Sequence, residues 1–296
     1  MSGGAKSCVI GRLLNGNLTK LKSILINKKY YTIENTCAYD SLSQVLFCSY
    51  ADSDCYRQFI DDIARKNDGL VFEFIKKTVR DGVTVQSYRK RAHVLLSVHK
   101  FPCTKIGETI RVNAICTVLF LIEKLFIKYP TYKEVRICNE CKQKSRRSGA
   151  SMEMTLPAFN VTSLQDMITE FVTFPAKCRK PKCDAIVQRD WSFSSHLFVE
   201  IFPPYVENNL RGKMSVPLSD IPQQVTVLGK TFTIRGVILF KPPLSNNRNA
   251  VGHYTAYCWR SLIQRWQLYD DMIDSKTVTY VKNSSVIDRN ILIYTL

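Results

Sequence analysis

Two pairs of closely spaced cysteines constrain the fold of this 296-residue chain more than any other feature. Cys138 and Cys141 are separated by two residues, and Cys178 and Cys183 by four. Two such knuckles, brought together from separate parts of a chain, supply the four thiolates that hold a structural Zn²⁺ ion in tetrahedral geometry. The alternative is four unconnected buried thiols. We expect one structural zinc ion, and because four sulfurs leave no position for a substrate, we expect it to take no part in the chemistry.

The pattern of apolar residues changes on either side of these cysteines. Up to about residue 130 it is mainly helical, and we predict helices over residues 56–65, 71–79 and 112–128. Beyond residue 190, short apolar runs alternate with Gly, Pro and Asn clusters, as strands and turns do. The sequence therefore predicts an α+β fold. The predicted strands are residues 197–202, 225–228, 232–240, 254–259, 266–269, 278–281 and 291–294.

Composition and charge bound the class of protein. The chain has 11 cysteines, an odd number, and no secretory signal, so we expect it to work inside the cell, in the cytoplasm and/or nucleus. Its longest apolar run, residues 115–122, is too short for a membrane helix, and we expect no membrane partner. The net charge of +17 favours acidic partners, either nucleic acid or an acidic protein surface.

Cys37 stands where an irregular segment, residues 32–36, is predicted to meet a helix. Asn35 and Thr36 are residue types that cap helix starts. The N–H groups and partial positive charge of a helix N-terminus stabilise a thiolate and can hold a developing oxyanion. The alternative is that Cys37 is one more buried small hydrophobic residue. A catalytic role therefore requires a base.

His253 is the candidate base, since the chain has only four histidines and this one opens an alternating strand. A turn at residues 261–265 leads into a second strand that ends at Asp270 and Asp271. If Arg260 pairs with Arg265, Asp270 comes within side-chain reach of His253, whereas a one-residue slip brings Asp271 forward. Such a carboxylate fixes the imidazole tautomer, so that the other ring nitrogen can take the thiol proton.

Three separated segments together resemble one protein family. Residues 35–44, which contain Cys37, look like the cysteine box of ubiquitin-specific proteases, and residues 232–240, 252–257 and 266–271 are similar to the histidine box. The four cysteines lie between the boxes, as the zinc-bearing fingers do in that family. The resemblance implies a papain-like thumb–fingers–palm fold that cleaves the isopeptide bond after a Gly-Gly tail. It divides the chain into a basic N-terminal extension (1–29), a helical thumb (30–130), fingers (131–190) and a β-rich palm (191–296).

The same resemblance implies the roles of individual residues. Cys37 would be the nucleophile, His253 the base, Asp270 the residue that orients it, and Asp271 a polar support. The family usually places an oxyanion-stabilising Asn five residues before its cysteine, where this chain has Thr32, so Asn35 or backbone N–H groups would have to compensate. Residues 38–40 and the palm segment that begins at His196 also depart from the family's usual pattern, and similar departures occur in the related SUMO-directed branch.

Two modifiers and two other functions remain open. The Gly252-His253-Tyr254 motif and the paired aspartates favour ubiquitin, whereas the net charge of +17 favours the more acidic SUMO. A zinc-containing nucleic-acid-binding protein is an alternative, with the basic fingers and residues 88–91 as phosphate contacts. A member of the family that binds ubiquitin without cleaving it is another.

Overall fold

The computed structural model describes residues 10–18, 21–66, 69–155, 163–202, 215–243, 251–273, 279–288 and 290–296 of the chain. Helices dominate its first part and strands the rest, which confirms the predicted α+β class. Among these residues no helix is long and apolar enough to cross a membrane. The sequence expectation of a strand at residues 278–281 is met from Thr279 onward, while residue 278 lies outside the described ranges.

The helices of the first part pack around α1, whose side chains are almost all buried. Because every face of α1 meets other elements, its first residue, Cys37, has a fixed place in the fold. Ser53 separates α1 from α2, and its hydroxyl accepts a hydrogen bond from the Tyr56 N–H, the usual device for starting a helix. The helices are α1 (Cys37–Asp52), α2 (Asp54–Arg65), α3 (Leu70–Asp81), α4 (Val85–Val98) and α5 (Val118–Leu125).

A four-stranded sheet accompanies these helices and corrects two predictions. Residues 32–34, expected to be irregular, belong to β2, and Val112, expected in a helix, belongs to β4. The two strands run parallel, with Ile33 opposite Val112. The helix begins only after Thr117, whose hydroxyl accepts from the Phe120 N–H, so one apolar run in sequence is divided between a strand and a helix. The strands, in sheet order, are β1 (Ile24–Ile26), β2 (Lys29–Glu34), β4 (Thr109–Asn113) and β3 (Cys103–Ile106).

A second, three-stranded sheet carries the cysteine pairs, in the order β6-β5-β8. Its central strand holds Glu134, fully buried, which accepts hydrogen bonds from Arg136 at 2.8 Å and from Arg189 at 2.6 Å. The sequence did not predict helix α6 (Leu164–Thr173), which lies close to this sheet. The strands are β5 (Tyr132–Ile137), β6 (Lys144–Gly149) and β8 (Gln188–Phe193).

An eight-stranded sheet forms the last part, in the order β15-β14-β13-β12-β17-β9-β7 with β11 paired to β12. Its β12 and β13 pack against α1. Gly236 permits this close approach, because a Cβ there would lie 2.8 Å from both Val45 and the Tyr257 carbonyl oxygen. The strands are β7 (Met152–Thr155), β9 (His196–Phe202), β11 (Gln224–Val227), β12 (Lys230–Lys241), β13 (His253–Arg260), β14 (Arg265–Tyr269), β15 (Thr279–Val281) and β17 (Asn290–Thr295); β10 (Ser215–Pro217) and β16 (Val286–Asp288) pair separately.

The described part of residues 1–29 lies on the domain instead of extending into solvent. Ile10 and Leu13 are buried in the core of the helical part. The N–H of Asn15 donates to the Asp271 carbonyl oxygen at 2.9 Å. Residues 24–26 form β1 and pair with β2. The described residues before residue 30 are therefore part of the packed structure, and Asn15 among them contacts Asp271.

Candidate active site

The β13–β14 hairpin brings His253 and Asp270 together. Arg260 pairs with Arg265 and Ala256 with Tyr269, which is the register that places Asp270 within reach. His253 Nε2 donates to Asp270 Oδ1 at 2.8 Å, and the Met272 N–H donates to the same oxygen at 3.0 Å. Partial burial raises the pKa of Asp270, but these hydrogen bonds outweigh it and the pKa lies below its usual value. A carboxylate only accepts hydrogen bonds, so the imidazole proton sits on Nε2 and Nδ1 is free to take another.

Cys37 is the first residue of α1 and is 7% exposed. Its thiol accepts a hydrogen bond from the backbone N–H of Tyr254, the residue that follows His253. Burial is the main reason that its pKa rises to about 11, and the nearby carboxyl groups of Asp271 and Asp40 add to the effect. The expected stabilisation of a thiolate at the helix start is therefore outweighed by burial, and Cys37 is a thiol at neutral pH.

A buried polar cluster lies beside this pair of residues. Thr36, expected to cap α1, does not do so, and its hydroxyl donates to Asp40 Oδ2 at 2.5 Å. Arg91 Nη1 donates to both oxygens of Asp40, at 2.8 and 3.0 Å, and both side chains are at most 3% exposed. The interpretation of residues 88–91 as phosphate contacts is therefore wrong for Arg91, which binds a carboxylate inside the protein.

Asp271 joins this cluster to the hairpin. Its Oδ1 is 3.5 Å from His253 Nε2, and its Oδ2 accepts from Asn15 Nδ2 at 2.8 Å. Its carboxyl group is also in hydrogen-bond contact with that of Asp40. Burial and these like-charged neighbours raise the pKa of Asp271 to about 9. Asp270 is thus the ionised partner of His253, whereas Asp271 is a buried neighbour whose pKa is raised.

Thr32 and Asn35, the candidates for supporting the oxyanion, contact neighbouring strands and segments. Thr32 pairs with Arg111 between β2 and β4 and lines a cavity of about 560 Å³. The Asn35 amide donates to Asn113 at 2.8 Å and accepts from Asn17 at 2.9 Å, so its side chain ties two neighbouring segments together. Sequence reasoning did not single out Asn15 or Arg91 as members of the site. No local pattern marks Asn15 as a member of the site, and Arg91 stands in an ordinary basic run.

The four cysteines converge as predicted. Their sulfur atoms all lie within 4.8 Å of one another, with 3.7 Å between Cys138 and Cys183 and 3.6 Å between Cys141 and Cys178. Tetrahedral Zn–S bonds of about 2.3 Å require sulfurs roughly 3.8 Å apart, so the donor set fits a zinc ion. Cys138 follows β5 directly, and the Cys178 N–H bonds to the Ala185 carbonyl, which shapes the two knuckles. This is how the chain could hold a structural metal.

Comparisons with known proteins give distant similarities. No protein-family model matches the chain. It is 24% identical over 266 residues to the 120.7 kDa protein in the NOF-FB transposable element of Drosophila melanogaster, covering 84% of this chain and 24% of that protein. The chain thus spans about a quarter of the length of this relative.

Two solved structures are similar in backbone. One is the SAGA Ubp8/Sgf11/Sus1/Sgf73 DUB module, with a TM-score of 0.47 at 10% identity, covering 95% of this chain and 68% of that chain. The other is the yeast SAGA DUBm with an Sgf73 mutant, with a TM-score of 0.47 at 13% identity, covering 95% and 66%.

Proposed function

We propose that this chain is a cysteine isopeptidase that removes ubiquitin from protein conjugates. The observation that carries the proposal is the pairing of His253 with Asp270 at 2.8 Å on the strand whose next residue, Tyr254, hydrogen-bonds the Cys37 thiol. Nucleophile, base and orienting carboxylate thus lie in one small region, in the chain order of papain-like proteases. The motifs around them resemble those of ubiquitin-specific proteases.

The proposed reaction follows a proton path through these three residues. The Cys37 thiol passes its proton to His253 Nδ1, while Asp270 holds Nε2–H and stabilises the imidazolium that forms. The thiolate attacks the carbonyl carbon of the terminal glycine, and the C–N bond breaks as His253 returns the proton to the departing lysine amine. Water, deprotonated by His253, then hydrolyses the thioester and regenerates the thiol. Because Cys37 is protonated at rest, the reaction depends on this transfer more than on a preformed thiolate.

A ubiquitin probe with a thiol-reactive C-terminus tests this proposal directly. We expect a covalent adduct with the native chain and none with Cys37→Ala, because the probe reports only on the nucleophile. Cys55→Ala is a matched control, since Cys55 is exposed on α2 and is not one of the candidate site residues. An adduct that survives Cys37→Ala would contradict the assignment, and no adduct at all would favour binding without cleavage.

SUMO is the second candidate modifier, and the net charge of +17 is the observation that favours it. A SUMO probe of the same chemistry, run beside the ubiquitin probe, distinguishes the two. Faster Cys37-dependent labelling by SUMO would assign the chain to SUMO conjugates.

A basic surface around the cysteine knuckles supports nucleic-acid association as a second function. The exposed cations lie on β6 and on both knuckles, close to the four sulfurs: Lys142, Lys144, Arg146, Lys177, Arg179, Lys180 and Lys182. Phosphate contacts of this kind weaken steeply with salt. We expect Arg179→Glu with Lys180→Glu to weaken binding of a fluorescent DNA duplex and to flatten its salt dependence, whereas Lys105→Glu on exposed β3 serves as control. Equal binding by both variants would remove this surface from consideration.

A further inference from the structure

We propose that Asp40 and Asp271 share a single proton beneath the candidate catalytic cluster, and that this pair, anchored by Arg91, positions His253 relative to Cys37. The positioning role rests on the proposed function, whereas the shared proton stands on the buried geometry alone. Asp40 occupies one of the positions at which the chain departs from the family it resembles.

The hydrogen bonds around the two carboxyl groups require a proton between them. Asp40 has donors for both oxygens, from Arg91 and Thr36. Asp271 Oδ2 has a donor in Asn15, but its Oδ1 is buried and, within the described residues, has no donor. Its carboxyl group nevertheless lies in hydrogen-bond contact with that of Asp40. Two carboxylates can make such a contact only when one of them carries a proton and donates it.

The charges around the pair also favour one bound proton. Among the described residues, the titratable groups that face the pair are Arg91 from α4, Cys37 and Tyr39 from α1, His253 from β13, and Asp270 beside Asp271. From the N-terminal segment, Arg12 donates to the Asp270 carbonyl oxygen at 3.2 Å. The charge of Arg91 compensates the carboxylate of Asp40, and His253 is already hydrogen-bonded to Asp270. A second uncompensated charge at 5% exposure is costly, so Asp271 keeps a proton, in line with its pKa of about 9.

The pair lies where several parts of the candidate site meet. Asp271 holds the N-terminal segment through both the side chain and the N–H of Asn15. Arg91 holds the same segment through the Leu14 carbonyl oxygen at 2.7 Å and also binds Asp40 on the first turn of α1. The helix that begins with Cys37 and the hairpin that presents His253 are therefore joined through this one cluster. An additional negative charge there would also raise the Cys37 pKa further.

Stability as a function of pH tests the shared proton without any substrate. An unfolded aspartate loses its proton near pH ~3.9, whereas native Asp271 keeps it to about pH 9. Between these values the unfolded chain binds fewer protons, so unfolding becomes easier as pH rises, by about tenfold in the unfolding constant per pH unit for one proton. We expect the ratio of the native unfolding constant to that of Asp271→Asn to rise about tenfold per unit from pH 6 to 8.

Two further variants keep this test decisive. Asp270→Asn is the matched control and should retain the native slope, because Asp270 is already ionised. Asp40→Asn removes the like charge that adds to burial in holding the proton, so it should weaken the slope even if Asp271→Asn does not fold. Parallel curves for the native chain, Asp271→Asn and Asp40→Asn in urea titrations at pH 6, 7 and 8 would overturn the shared proton.

The positioning role has its own readout. We expect Asp271→Ala to slow probe labelling about tenfold to hundredfold. Asp271→Asn should restore most of the rate, because an amide can donate to Asp40 and accept from Asn15. Equal losses in the two variants would overturn the neutral positioning role. If the native chain labels with no probe, the proposed function fails, while the stability slopes still decide whether the proton is shared.

Discussion

At the scale of single residues, buried charges decide how the candidate site is held. Arg260 and Asp52 are both fully buried and form a two-point ion pair, at 2.9 Å from Nε and 3.0 Å from Nη2. The pair ties the end of α1 to the end of β13, the two elements that begin with Cys37 and His253. We expect Asp52→Ala to lower the free energy of unfolding by about 3–5 kcal/mol, because it leaves a buried guanidinium without its partner.

A double variant distinguishes the cost of leaving one buried charge unpaired from the net contribution of the ion pair to the free energy of unfolding. Asp52→Leu combined with Arg260→Met should recover much of the stability in urea denaturation, since no buried charge then remains unpaired. If the double variant is as unstable as Asp52→Ala alone, the loss of stability does not come from a buried unpaired charge.

His196 provides a second residue-scale prediction, with a defined pH sign. It is fully buried, and its ring hydrogen-bonds the Tyr129 carbonyl oxygen at 2.9 Å. Burial is the main reason that its pKa falls to about 4. The unfolded chain therefore binds an extra proton below pH ~6.5, and stability falls as the pH drops, by about 2 kcal/mol at pH 5. In His196→Gln this acid-dependent loss should be smaller by that amount in urea titrations at pH 5 and 7.5; an unchanged loss would contradict the neutral buried imidazole.

At the scale of elements, the contact between α1 and the large sheet depends on a missing side chain. We expect Gly236→Ala to destabilise the protein by about 1–3 kcal/mol, because its Cβ would meet Val45 and the Tyr257 carbonyl oxygen. Val45→Ala removes the side-chain atoms that a Cβ at residue 236 would meet, and leaves the contact with the Tyr257 carbonyl oxygen. In urea denaturation, the double variant should therefore lose less free energy of unfolding than the sum of the losses in the two single variants. A loss equal to that sum would place the strain wholly at the backbone.

Elements also explain which features the sequence made predictable. The strands of the β-rich part followed from local alternation and turn residues, which depend on neighbours in the chain. The hairpin register did not follow from them, because a one-residue slip fits the same alternation and would bring Asp271 forward instead of Asp270. The strand at Thr109–Asn113 was missed because its apolar residues run on into those of α5, and no periodicity marks the change. The contacts of Asn15 with Asp271 and of Arg91 with Asp40 join remote parts of the chain. Such contacts are set by tertiary packing, so no local pattern in the sequence predicts them.

At the scale of the whole molecule, the cysteine cluster lies in sequence between the helical part, which supplies Cys37, and the β-rich part, which supplies His253 and Asp270. β5 and β8 lead into and out of it, and β7 continues from the same region into the large sheet beside β9. The candidate triad residues themselves stand on α1 and on the β13–β14 hairpin or directly after it. Metal loss should therefore unfold the three-stranded sheet well before the hairpin, because structural zinc contributes to folding directly where its ligands lie.

Cys138→Ser tests this division, with Cys103→Ser on exposed β3 as the matched control. We expect the native chain and the control to bind one zinc ion per chain, and Cys138→Ser to lose it, as measured by atomic spectroscopy. Hydrogen exchange should then accelerate in β5, β6 and β8, while amides of β13 and β14 stay protected, because their ladder and the packing of α1 hold them independently. Unchanged zinc content in Cys138→Ser would contradict the four-cysteine site, and simultaneous loss of protection in the hairpin would show that the metal supports the whole molecule.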